Sequence, residues 1–313
     1  MTPNFFIIGA PKCGTTSLAH WLSGHPEVYM SPSKEPHYFN FDVGARYTDT
    51  WDAYKALFDD ASDRFVAIGE ASTHYLWSRT AVPQILQTRP DAKFIVTLRF
   101  PPDMAISLHA QECGGLEDEP CFERAWRLQG GRRNGYYLPA FSRTPSVYQY
   151  GSRCCVGSQL ERLYALVPSE RILVLFLEDI AVDAETEWRK ILRFLRVSVY
   201  KPVDFDVRNS RRRVRSFRVK KILSALGGIK QKLGVNRSFG VLAPLYRLNT
   251  EQGAGKRDAT TLSPEMRQEL LDTFKSEIEK VENQVGRIPR DWREKMHALE
   301  NSQECDGIGS SVV

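Results

Sequence analysis

Lys12 stands inside a glycine-framed loop, Gly9-Ala10-Pro11-Lys12-Cys13-Gly14-Thr15-Thr16-Ser17, which joins the apolar run Phe5-Phe6-Ile7-Ile8 to the amphipathic Leu18-Ala19-His20-Trp21-Leu22. The apolar run suits a buried parallel strand, and the Thr and Ser residues suit a helix start. The first N–H groups of a helix have no intrahelical acceptor and its dipole favours negative charge there, so this junction is an anion site. Lys12 adds a mobile positive charge, and the hydroxyls of Thr15, Thr16 and Ser17 add donors. The matching guest is a phosphate or a phosphate-like group. A nucleoside-triphosphate loop of the form G-x-x-x-x-G-K-[ST] carries its Lys after the second Gly. Here Thr15 takes that place and the loop's only cation lies two residues before Gly14.

A second run, Lys93-Phe94-Ile95-Val96-Thr97-Leu98, ends at Arg99-Phe100-Pro101-Pro102. The Pro pair stops a strand, and Pro102 suits a first helical turn. Arg99 is thereby placed at a strand's carboxyl end, where open α/β sheets bind ligands, with Ser107 further along the next segment. Two more clusters carry titratable side chains: Glu35 and His37 in Ser33-Lys34-Glu35-Pro36-His37-Tyr38-Phe39, and Glu70 and His74 in Ile68-Gly69-Glu70-Ala71-Ser72-Thr73-His74-Tyr75. Pro36 predicts an extended Glu35. Glu70 and His74 read equally as a polar pair at a strand end.

P-K-C-G-T-T-S-L resembles the loop by which sulfotransferases hold the 5'-phosphosulfate of 3'-phosphoadenosine 5'-phosphosulfate (PAPS), most closely in heparan sulfate sulfotransferases and their bacterial relatives. The resemblance implies that Pro11, Lys12, Cys13, Gly14, Thr15, Thr16 and Ser17 bind this co-substrate. Arg99 and Ser107 match the family's 3'-phosphate pair. It implies a short strand after the first helix and Glu35 as the base that activates the acceptor hydroxyl, with His37 orienting it or sharing the role. Lys12 is assigned to the bridging oxygen and its developing charge, and His74 and Glu70 are reserve candidates for the base. The 68–75 segment resembles the family's E-K-[ST]-P-x-Y, but Ala71 replaces its Lys and Thr73 its Pro, which counts against a heparan acceptor. Lys256 and Arg257 stand where the family has a Lys-Gly-Arg loop over the 3'-phosphate. Sulfuryl transfer is an in-line displacement dominated by positioning and electrostatics, and it invokes no metal. A base of this kind is expected to have its pKa raised in a closed site.

The candidate elements alternate. Strands are predicted at Phe5–Ile8, Phe65–Ile68, Phe94–Leu98 and Ile172–Leu177, with helical patterns at Trp51–Phe58, Ala81–Gln87 and Val147–Leu166 and a capped helix from Thr261-Leu262-Ser263-Pro264 to about Val285. This order predicts an α/β, P-loop-containing three-layer fold with a central parallel sheet flanked by helices. The 313 residues, 42% hydrophobic, read as one domain over 1–301 and a tail over 302–313, with 114–150 shaping the acceptor pocket.

Charge is local. The net value is +5, but twelve Lys and Arg lie between Arg208 and Arg247 with no Asp or Glu, leaving 31 basic against 38 acidic residues elsewhere. Within 211–233 apolar residues recur at near-helical intervals. This basic amphipathic stretch reads either as a peripheral contact with anionic lipid or acceptor, or as a surface helix packed on the core. No aromatic platform accompanies these charges, so nucleic acid is not an expected partner. Six cysteines at spacings foreign to zinc sites read as free thiols. With no leader and no apolar run of about twenty residues, the expectation is a cytoplasmic enzyme, peripheral at the inner membrane face if the basic span docks there. The leading expectation is sulfuryl transfer from PAPS to a hydroxyl or amine of an acceptor, a carbohydrate or glycolipid. A P-loop kinase and a non-catalytic polyanion-binding or membrane-binding protein are the alternatives.

Overall fold

The runs Phe5–Ile8, Phe94–Leu98 and Ile172–Phe176, made almost wholly of Phe, Ile, Val and Leu, suit burial on both faces, and in a parallel sheet that requires helices on each side. The computed structural model, which describes residues 1–44, 46–139, 142, 144–200, 204–205, 212–214, 250–252 and 259–300, has this arrangement. In chain order the first elements are β1 Phe5–Gly9, α1 Thr15–Ser23, β2 Val28–Met30, α2 Trp51–Ala56, β3 Ala67–Ala71, α3 Ala81–Thr88, β4 Lys93–Leu98 and α4 Pro101–Gly114. There follow α5 Phe122–Arg127, α6 Gln129–Arg133, α7 Tyr150–Cys154, α8 Val156–Leu166, β5 Ile172–Phe176, α9 Leu177–Val182 and α10 Ala184–Leu195. The last are β6 Arg212–Val214, β7 Thr250–Gln252, α11 Pro264–Val285 and α12 Arg290–Glu300.

The described residues form two compact units: Met1–Met104 with Cys155–Asn209 and Ser263–Val313, and Ala105–Cys154 with Ser210–Leu262. The first holds a five-stranded parallel sheet in the order β2-β3-β1-β4-β5. From the central β1 the chain builds β2 and β3 on one side, then crosses to β4 and β5 on the other. Such a reversal opens a crevice at the carboxyl ends of the strands. Glycine sets one close approach: a Cβ at Gly69 would lie 2.2 Å from the Phe5 ring, which crosses β3 at that point. Phe5, Ile7, Leu18, Leu22, Ile95, Trp188 and Ile191 pack into one buried core cluster beneath it.

The second unit is built around a buried charge. Arg132 donates to both carboxylate oxygens of Glu117 at 2.5 and 2.8 Å, and the Tyr150 hydroxyl donates to the same carboxylate at 2.6 Å. Its β6 and β7 pair antiparallel.

Two sequence expectations about the elements need correction. The second predicted strand starts two residues later and ends three later, because β3 pairs with β1 in a register that sets Phe5 beside Gly69, which brings Glu70 into the strand. The short strand that the family resemblance implied after the first helix is present as β2, although it is too brief to show a pattern of its own. The single helix expected over 147–166 is a 3-10 turn, α7 and α8, interrupted at Cys155. The Glu277 carboxylate of α11 accepts the Ser158 N–H at 2.7 Å and so fixes where α8 begins. The α11 start is as expected, with Ser263 Oγ accepting the Met266 N–H at 3.3 Å. No disulfide joins the five cysteines among the described residues. No described helix is long and apolar enough to cross a membrane. Except for Arg212–Val214, the residues of 211–233 lie outside those described, as do Lys256, Arg257 and 302–313.

Candidate active site

The β1 loop takes its shape from backbone conformation. Lys12 and Gly14 are both left-handed, at φ 66° and 86°, and Gly14 is the N-cap of α1 without supplying a side-chain cap. A Cβ at Gly14 would also meet Leu177 Cδ1 at 3.0 Å. The first-turn N–H groups of α1 therefore face a loop whose cap position carries no competing oxygen, which suits a phosphate oxygen. The Cys13 thiol is fully buried and lies 3.4 Å from the Pro11 carbonyl and 3.9 Å from the Met104 sulfur, so its side chain serves the core and only its backbone is available to a ligand. Thr15 and Ser17 are buried, while Lys12 and Thr16 are half-buried.

Backbone bonds tie this loop to its neighbours. The Ala10 N–H donates to Thr97 at 2.7 Å and Thr97 Oγ1 to the Gly9 carbonyl at 3.2 Å, which joins the loop to the end of β4. Arg99 follows directly, half-buried, and the next N–H, that of Phe100, donates to the Glu178 carboxylate at 3.1 Å. On the other side, the Ser72 N–H donates to the Ile7 carbonyl at 3.0 Å and the Glu35 N–H to the Ala71 carbonyl at 2.9 Å. Lys12, Arg99, Glu35 with His37, and Glu70 with His74 thus come from the ends of four adjacent strands. Ser107 occupies a buried position on α4 and belongs to the second unit.

The Glu35 turn differs from its sequence expectation. Glu35 is left-handed at φ 62° and His37 at φ 50°, not extended. The local preference imposed by Pro36 is overridden by two anchors, the Ala71 carbonyl on the Glu35 N–H and the Ser72 hydroxyl, which accepts the His37 N–H at 3.1 Å. His37 Nε2 lies 3.1 Å from Glu35 Oε2, and Lys34 Nζ lies 2.6 Å from Glu35 Oε1. A carboxylate only accepts, so Nε2 carries the proton, and the buried Nδ1 has no hydrogen-bond partner. The His37 side chain is 1% exposed and that of Glu35 is 30% exposed, so the carboxylate is the member of the pair that meets an incoming molecule. The expected rise in the Glu35 pKa does not occur. Burial pushes the carboxyl up, but the His37 hydrogen bond and the Lys34 charge together outweigh it and hold the group at about 2.

Glu70 behaves in the opposite way. It is fully buried and accepts from Tyr54 OH at 2.9 Å and from Ser72 Oγ at 2.6 Å. Burial dominates and lifts it to about 7, although bonds from Ser72, Tyr75 and Tyr54 favour the charged form; the nearby Glu35 charge adds to the rise. It does not pair with His74. The His74 ring instead stacks on His37, with centroids 4.3 Å apart and planes at 22°. Tyr75 OH accepts the Tyr38 and Phe39 N–H groups at 3.0 and 3.3 Å, fixing the chain after His37. Sequence reasoning missed the supporting roles of Lys34, Ser72 and Tyr75, although all three lie within its quoted motifs. Tyr54 carries no local signal, because it reaches Glu70 from α2. Among the described residues no group of three or more His, Cys, Asp or Glu side chains could hold a metal ion.

The left-handed loop before α1, a basic residue at the next strand end and a carboxylate–imidazole pair beside them lie at the strand ends of a P-loop-like α/β fold. The chain belongs to the sulfotransferase-domain family, whose sequence model matches residues 2–223. It is similar to carbohydrate sulfotransferase 15 of Mus musculus, 33% identical over an alignment of 248 positions that covers 62% of this chain and 43% of the relative. It is also similar to heparan sulfate glucosamine 3-O-sulfotransferase 3B1 of Homo sapiens, 32% identical over 123 residues, 39% of this chain and 30% of the relative. These matches span less than half the length of either curated relative. A solved sulfotransferase from Alicyclobacillus acidocaldarius, 25% identical, superposes with a TM-score of 0.68 over 94% of this chain and 99% of its own. Family membership displaces the kinase reading.

Proposed function

We propose that the protein transfers a sulfuryl group from PAPS to a hydroxyl of a carbohydrate or glycolipid acceptor. The observation that carries this reading is the convergence of the Lys12 loop, Arg99 and the Glu35–His37 pair at neighbouring strand ends. The names of the carbohydrate-modifying relatives support the acceptor class.

PAPS supplies a sulfur centre activated by a phosphate leaving group. The N-terminal turn of α1 with Thr15, Thr16 and Ser17 suits its 5'-phosphate, and Arg99 at the end of β4 suits its 3'-phosphate. Lys12 neutralises charge on the bridging oxygen as the sulfur–oxygen bond breaks. Glu35 accepts the acceptor hydroxyl's proton as the new oxygen–sulfur bond forms, and His37 fixes the carboxylate's direction from behind. The products are the sulfated acceptor, the proton held on Glu35, and 3'-phosphoadenosine 5'-phosphate (PAP). Lys34 must loosen its hold on Glu35 for that proton to be taken, because a carboxylate at about 2 is a weak base.

Calorimetric titration with PAP, AMP and magnesium-ATP tests the reading. Micromolar or tighter PAP binding with much weaker AMP binding is expected; preference for magnesium-ATP, or no nucleotide binding, would remove it.

A further inference from the structure

We infer that Tyr47 forms one wall of an acceptor subsite that takes a pyranose ring and presents one of its hydroxyls to Glu35. The inference rests on the transfer reading above and narrows its acceptor. Tyr47 is 72% exposed, yet its position is determined from both sides. The N–H of its neighbour Thr48 donates to the Pro36 carbonyl at 3.0 Å, inside the Glu35–His37 turn itself. The preceding residue, Arg46, donates through Nη2 to the Asp49 carbonyl at 2.9 Å. Its guanidinium lies 4.2 Å from the Phe41 ring centroid and 5.4 Å from that of Tyr38. The Tyr47 ring stands 5.4 Å from the His37 ring at 49°.

A large aromatic side chain normally gains by burial, whereas here the fold braces the segment around one and leaves its ring in solvent beside the base. A flat ring with an apolar face and a polar tip complements a molecule with an apolar face and polar edges. A pyranose has that form: its C–H face packs on the aromatic ring and its hydroxyls radiate at the rim. A ring seated on Tyr47 would bring those hydroxyls toward the half-buried carboxylate of Glu35 and the Lys34 ammonium, whose side chain is 34% exposed. A flexible alkyl alcohol offers no such face. Fixing the sugar ring in this way also supplies the orientation on which in-line displacement depends.

The test uses the full chain and its Tyr47→Ala, Tyr47→Leu and Tyr47→Phe variants. PAP binding is measured by calorimetry, and labelled sulfuryl transfer from PAPS is measured on p-nitrophenyl glycosides of neutral hexoses, N-acetylhexosamines and hexuronic acids, beside simple alkyl alcohols. The expected result is transfer to at least one pyranoside. Its KM should rise about tenfold in Tyr47→Ala and Tyr47→Leu and stay within about twofold of wild type in Tyr47→Phe, with PAP affinity equal in all four proteins. A kcat/KM in Tyr47→Ala within twofold of wild type overturns the subsite. So does transfer confined to alkyl alcohols, or no transfer to any pyranoside while PAP still binds. Loss of PAP binding by the wild type would instead remove the sulfotransferase reading beneath it, so the two failures are distinguishable.

Discussion

His37 Nε2 lies 3.1 Å from Glu35 Oε2, and both residues hold left-handed backbone on either side of Pro36. Such conformations cost roughly 1–3 kcal/mol each and persist only where the surroundings over-determine them. Here the surroundings are the ends of β3 and its loop, through the Ala71 carbonyl and the Ser72 hydroxyl. The strain is the means by which a buried imidazole comes to lie directly behind a half-buried carboxylate.

Glu35→Gln keeps the shape of the side chain and removes its basicity. Turnover should fall by about 10²–10⁴-fold, the usual contribution of a positioned base, while PAP affinity stays within about twofold. Assays of kcat and calorimetry on the same preparation check this. Full activity in the variant would pass the role of base to His37 or His74.

Lys34 contributes to holding the Glu35 carboxyl at about 2. Lys34→Met removes that charge, so Glu35 should titrate at higher pH and the acidic limb of the kcat/KM profile should move upward. The same change should weaken Glu35's contribution to stability. A carboxylate with a lowered folded pKa stabilises above its unfolded value of about 4.5, and that contribution is lost as pH falls through the folded value near 2. An acidic limb at the same pH in both proteins would mean that the Lys34–Glu35 pair does not control the base.

Lys12 and Arg99 are assigned different work and should separate in kinetics. Lys12→Ala should depress kcat severely. Arg99→Ala should mainly weaken PAP binding, by about ten- to a hundredfold, the range for one charge-assisted bond to a phosphate. Calorimetry and initial-rate kinetics distinguish them, and equal modest losses in both variants would contradict the division.

The sheet and its strand-end motifs were legible in the sequence because each depends on a local signal. The apolar run of Phe5–Ile8 and the Gly-framed loop around Lys12 need no partner to be recognised, and the same holds for the proline stop after Arg99. The Glu35 conformation was not legible, because Pro36 reports only a local preference and the two anchors that override it lie more than thirty residues away on the β3 side. The opposite pKa shifts of Glu35 and Glu70 were hidden for the same reason. Composition does not reveal that Lys34 and His37 meet one carboxylate while only hydroxyls from Ser72 and Tyr54 donate at hydrogen-bond distance to the other. Likewise, nothing near Cys155 announces that Glu277 will cap the next helix.

Glu70 gives a prediction that concerns stability rather than turnover. Its unfolded carboxyl loses a proton near the ordinary 4.5, whereas the folded one keeps it until about 7, chiefly because of burial. Between those values the unfolded state binds fewer protons, so stability falls as pH rises and levels off above about 7. A shift of this size corresponds to about 3 kcal/mol. Glu70→Gln cannot ionise and should lack that component, although it perturbs the bonds from Tyr54 and Ser72 and starts from a lower stability at pH 5. Urea unfolding of both proteins at pH 5 and pH 8 measures the difference, and effects of other titrating groups cancel between them. The gap between wild type and variant should narrow or reverse at the higher pH. A gap unchanged with pH would show that Glu70 is ionised throughout, which would leave a buried carboxylate held by the Ser72 and Tyr54 hydroxyls.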